Sequence, residues 1–162
     1  MGFLIRYEGI FNYRELYRFI HDWLEQRKYD VDETRYKAKG GESELEWTAT
    51  KDVTEYVRNS ISVKFHFWDV KHSSKDGREE DTGRFEIDLA YQIITKEHLL
   101  FQTKSTEGTT YGNIIAKLKT WMITLRKNEI AAEYEDKLHY ETLRLQTEIK
   151  KLLNTYTATS AY

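Results

Sequence analysis

The sequence predicts an α+β fold. An antiparallel meander of four strands, with the amino-terminal segment as a possible fifth, packs on an amino-terminal helix, and a long or broken helical region follows. Three observations predict it. Residues 13–28 carry a helical apolar period behind a capping signal. Segments between residues 31 and 93 alternate apolar and polar side chains with no helical stretch between them. From residue 113 the helical period returns and persists to residue 153.

The opening segment, residues 3–8, is short and β-leaning and ends at Gly9. Asn12 and Glu15 then have the spacing of a capping box, in which each side chain satisfies a free N–H of the first helical turn. Phe11 and Leu16 stand where a hydrophobic staple stands. Leu16, Phe19, Ile20, Trp23 and Leu24 follow on one face, so a helix is predicted over Tyr13–Lys28.

Residues 31–39 are polar but β-tolerant, and Gly40-Gly41 ends them. Leu45, Trp47 and Ala49 alternate with polar neighbours. Ile61, Val63, Phe65 and Phe67 do so in the next strand, and Phe85, Ile87, Leu89, Tyr91 and Ile93 in the last. One strongly apolar face per strand is the pattern of an antiparallel sheet covered on one side. The connection 71–84 is long and charged, and part of it reads as strand prolonged into a solvated ribbon. A polar segment, 102–112, closes the sheet domain at residues 1–112.

Beyond it lie two apolar stripes: Ile114, Ile115, Leu118, Trp121, Met122 and Leu125, then Tyr134, Leu138, Leu145, Ile149 and Leu152. At about 100° per residue the second is turned roughly 220° from the first. A straight helix would show its two halves to opposite sides and would exceed the diameter of a compact domain. A break or bend is therefore expected near Asn128, a good cap residue, or else the second half projects towards a partner. The helical region is placed at 113–153 and a flexible tail at 154–162.

Composition excludes more chemistry than it suggests. The chain has 162 residues, 25 basic and 27 acidic, with no cysteine and no proline. Without cysteine there is no disulfide framework, thiolate metal site or thiol nucleophile. A net charge of -2 supplies no global field for nucleic acid. No stretch is apolar enough to span a membrane and the amino terminus does not read as a signal peptide, so a cytoplasmic location is expected.

No catalytic residue, cofactor or metal is expected. His21 and Glu25 read as a solvated pair one turn apart, and His66 and Trp68 point to the opposite sheet face from Asp69. Glu86 and Asp88 share the polar sheet face and read as solvent-facing positions. The function expected is a non-catalytic assembly or interaction protein, in a homo-oligomer or a larger complex. Its contact stripe is placed at Leu138, Leu145, Ile149 and Leu152, with Trp68 and Ile94 marking a covered part of the polar sheet face.

Two alternatives stay open. The element order resembles that of helix-grip folds, which implies a small apolar ligand in a cavity between sheet and helix. A nucleic-acid module could instead use Lys64, His66, Trp68 and Lys71 as a stacking platform, although Glu86 and Asp88 on the same face oppose it.

Overall fold

A computed structural model describes residues 2–55, 57–75, 78–95 and 110–159. Five strands, β1 (Gly2–Phe11), β2 (Asp30–Lys39), β3 (Glu42–Asp52), β4 (Val57–Lys75) and β5 (Arg78–Thr95), form one antiparallel sheet of order β1-β5-β4-β3-β2. Helix α1 (Tyr13–Gln26) joins the two edge strands, and helix α2 (Thr110–Thr159) ends the chain. The α+β class and the meander stand as read from the sequence. The amino-terminal segment is the fifth strand, paired along its whole length with β5.

The apolar alternation decides which face is covered. Trp47, Ala49, Ile61, Val63, Phe65, Phe85, Ile87 and Leu89 are buried on one side of the sheet. They share a single core with Leu16, Ile20, Trp23 and Leu24 of α1 and with Leu138, Leu145, Ile149 and Leu153 of α2. Both helices therefore lie on the same face. Aromatic rings occupy the space beneath α1: Trp47 meets Tyr17 edge-on at 4.6 Å and Phe65 at 4.9 Å, and Phe11 meets Phe85 at 4.8 Å.

Local signals explain the ends of the elements. Asn12 accepts from the Glu15 N–H at 2.9 Å, as the capping motif requires. The reciprocal half of the box is not made, because the Glu15 carboxylate accepts instead from the Tyr156 hydroxyl of α2, at 2.7 Å. Helix α1 ends at Gln26, two residues earlier than the periodicity suggests, and Lys28 turns the chain with a φ of 64°. Gly40 and Gly41, both at positive φ, make the tight turn between β2 and β3.

The connection 71–84 is indeed ribbon: β4 and β5 stay paired out to Lys75 and Arg78. A bulge interrupts them, with Asp69 and Val70 of β4 falling between the Trp68–Arg84 and Lys71–Thr82 pairs. Asp69 takes a φ of 51° there, and a Cβ on Gly83 would come within 3.0 Å of the Val70 backbone. That close approach is why a glycine stands opposite the bulge.

Helix α2 is the long form of the two that the sequence left open, and it ends later than its apolar period. It is continuous from Thr110 to Thr159 with no break at Asn128, and it runs on through residues expected to be a tail. No proline occurs in it and its one glycine, Gly112, lies in the first turn, so nothing in the backbone forces an end. Asn128 has capping ability but no chain reversal to serve. The polar segment 102–109 lies outside the described residues.

Two polar contacts hold α2 on the end of the sheet. Tyr29 donates to Glu141 at 2.8 Å, and the Tyr91 hydroxyl lies 2.8 Å from Nδ1 of His139, whose ring also packs on Phe3. Burial, and then the neighbouring Glu141 carboxylate, push the Tyr29 phenol far above its usual range.

These contacts generate two expectations. Leu145→Ala should destabilise the fold by about 3 kcal/mol in urea unfolding, whereas Leu118→Ala should change it by less than about 0.5 kcal/mol. Because the folded Tyr29 holds its proton more tightly than the unfolded chain does, its stabilising contribution is complete below about pH 10 and is lost as pH rises above that. Tyr29→Phe should cost about 1 kcal/mol at neutral pH and make the alkaline loss of stability less steep, as read from unfolding midpoints across pH 8–11.

Candidate interaction surface

The continuity of α2 carries the angular offset between its two stripes straight through the helix. Leu138, Leu145 and Ile149 are wholly buried, and Leu152 is half-buried against the same core. The stripe expected to contact another subunit is thus packed on the chain's own sheet. Leu153, which the stripe omitted, is buried beside it.

Helix α2 meets the sheet where β5 ends. His139 packs on Tyr91, four residues before the last residue of β5, and from there α2 runs back along the sheet to Tyr156 beside α1. The residues before His139 therefore extend past the sheet. From Thr110 this overhang is about 40 Å long at 1.5 Å per residue. Every described side chain from Leu118 to Glu133 is exposed.

Four of these are large and apolar: Leu118, Trp121, Met122 and Leu125, with relative exposures of 58, 62, 52 and 45%. They lie within about 60° of Leu118 in helical projection, so they form one stripe and not scattered surface residues. Single exposed apolar residues need no explanation, whereas contiguous sets are the kind of surface at which interaction sites are found.

The polar sheet face is arranged as its alternation implies. Lys64 stands opposite Asp88, His66 opposite Glu86 and Trp68 opposite Arg84. The Trp68 ring stacks on His66 with centroids 3.8 Å apart and carries the Arg84 guanidinium at 4.7 Å. Trp68 is half-buried by these neighbours, and Ile94 is 38% exposed. The terminal helix covers neither, since it lies on the opposite face. Arg6–Glu86 and Lys64–Glu46 pairs neutralise much of this surface, which deprives a nucleic-acid platform of its field.

One cluster escaped the sequence reading. The bulge at Asp69 and Val70 shifts the alternation of β4 by one, so His72 emerges on the helix side of the ribbon rather than beside Trp68. His72 Nδ1 lies 2.5 Å from Asp81, whose second oxygen accepts from the Tyr13 N–H at 2.7 Å. Asn12 donates to the Glu79 carbonyl, and Arg14 pairs with the Glu79 carboxylate. An open cleft of about 410 Å³ lies against Tyr13, Arg14, His72, Ser73, Ser74, Glu79 and Asp81. The chemistry shown is that of a clamp: Asp81 satisfies the first N–H of α1 and ties the ribbon to the helix. Only the register could have revealed it, because bulges leave no periodic mark.

His21, Asp22 and Glu25 can bring three ligand atoms within 4.8 Å of one another on α1. His21 is turned towards the Tyr17 and Trp47 rings, and the two carboxylates are solvent-exposed. Among the described residues no helix is long and apolar enough to cross a membrane. No family model, curated protein or solved structure matches the chain.

The clamp should be measurable. Asp81→Ala removes the acceptor for the Tyr13 N–H and should cost about 1–2 kcal/mol in chemical unfolding. His72→Ala, which leaves that acceptor in place, should cost less than Asp81→Ala.

Proposed function

We propose that this protein is a non-catalytic docking module that engages a larger assembly through the overhanging part of α2. The observation that carries the reading is the exposed stripe Leu118, Trp121, Met122 and Leu125, on a helix whose other apolar stripe is already used by the chain's own core. The interaction role thus moves from Leu138, Leu145, Ile149 and Leu152 to these four residues. The sheet and α1 then serve as the body that holds the helix out. In this reading the first half of the helix projects and the second folds back on the sheet, the reverse of the arrangement expected from the sequence.

Hydrogen exchange on this chain, at concentrations where its mass in solution is monomeric, tests this. Amides from 118 to 128 should exchange orders of magnitude faster than those from 138 to 153, which are held by the core. Equal protection of both segments in the monomer would mean that the stripe is covered within the chain, and would overturn the reading.

A further inference from the structure

The overhang differs from the rest of the chain in charge as well as in exposure. Between Thr110 and Asn128 there are four basic residues, Lys117, Lys119, Arg126 and Lys127, and no acidic one. All 27 acidic residues lie elsewhere, against 21 basic ones, so the remainder of the protein is clearly acidic. The basic segment ends abruptly at Glu129, and Glu133, Glu135 and Asp136 follow.

In helical projection Lys117 and Lys119 fall about 100° to either side of Leu118, and Arg126 about 80° from it. Cationic positions therefore border the apolar stripe on both sides. The sector opposite the stripe takes the positions of Gly112, Asn113, Ala116, Thr120, Ile123, Thr124 and Lys127, so one of the four basic positions lies away from the stripe and three flank it. Trp121 sits at the margin of the stripe, about 60° from its centre.

This arrangement selects among occupants. A second copy of the helix is poorly suited. Matching the two stripes antiparallel about Leu118 sets Lys117 of one helix opposite Lys119 of the other, with no carboxylate in the segment to relieve them. An anionic surface has the opposite relation to every charge present. A helix lying in a lipid interface buries its apolar face among acyl chains, lets flanking lysines reach the phosphates and places tryptophan at the headgroup level. The acidic body would be repelled from the same surface, so only the tip of the overhang would engage.

We propose that residues 111–127 of α2 form an interfacial helix that docks on an anionic lipid surface. The proposal rests on the docking reading above and names its occupant. Attachment is reversible, because a single short helix supplies limited apolar area.

Co-sedimentation of the full chain with phosphatidylcholine vesicles, with and without phosphatidylserine, tests it. The protein should sediment with serine-lipid vesicles at low salt and much less with neutral ones, and the emission of Trp121 should shift to the blue on binding. Leu118→Glu and Met122→Glu should abolish both signals, and Trp121→Phe should remove the shift alone. Lys117→Gln with Lys119→Gln should weaken binding by on the order of tenfold or more. Leu118, Trp121 and Met122 lie outside the core, so thermal midpoints of their variants should match the parent chain. Binding that ignores these substitutions would overturn the proposal. So would failure to bind anionic vesicles while exchange shows residues 118–128 open, an outcome that leaves docking intact and points to an acidic protein groove. Protection of residues 118–128 in the free monomer would overturn both readings.

Discussion

The unbroken phase of α2 is the constraint on which the rest depends. Fifty residues of one helix share a single angular register. Once Leu138, Leu145 and Ile149 are turned into the core, the direction of every earlier residue is set. Burial of the second stripe offers several kcal/mol, more than the roughly 1 kcal/mol that a cap at Asn128 could add by ending the helix there. Leu118, Trp121, Met122 and Leu125 must then stay exposed, whatever their own apolar content would favour.

The sheet is built to receive that helix at one end and α1 at the other. Tyr29 and Tyr91 present hydroxyl groups to Glu141 and His139 where β5 finishes, so the landing of α2 is defined by directional bonds as well as by packing. At the opposite end, Tyr156 reaches Glu15 and couples the last turns of α2 to the first turn of α1. The bulge at Asp69 and Val70 then turns the outer ribbon so that Asp81 meets the start of α1. Two helices and a ribbon are thereby tied to one face. The other face is left to surface ion pairs, each worth little on its own.

Much of this was legible in local pattern. The period-two alternation of Phe85 to Ile93 and of Ile61 to Phe67 told which side chains face inward, because a strand has only two faces. The Asn12 cap and the apolar positions of α1 were equally plain. Glu15 was misread for a physical reason: a carboxylate three residues behind a cap can close the box or bond a distant hydroxyl, and only the fold supplies Tyr156. Leu138, Leu145 and Ile149 read as a contact stripe in the sequence and are packed on the chain's own sheet, since periodicity reports an apolar face without saying what covers it. His72 and Asp81 were missed since one extra residue at a bulge reverses every face beyond it.

The sequence alone determined the α+β class, the meander, the inward face of each strand and the existence of two stripes out of phase in the last helical region. These follow from local periodicity and from the absence of proline and cysteine. Tertiary structure decided which of the two stripes the sheet takes, that the helix stays whole, and that Leu118, Trp121, Met122 and Leu125 are left outside. Those outcomes depend on the competition between burial at one end of a rigid helix and exposure at the other. That balance is set by where β5 ends and Tyr91 stands, and no local pattern contains it.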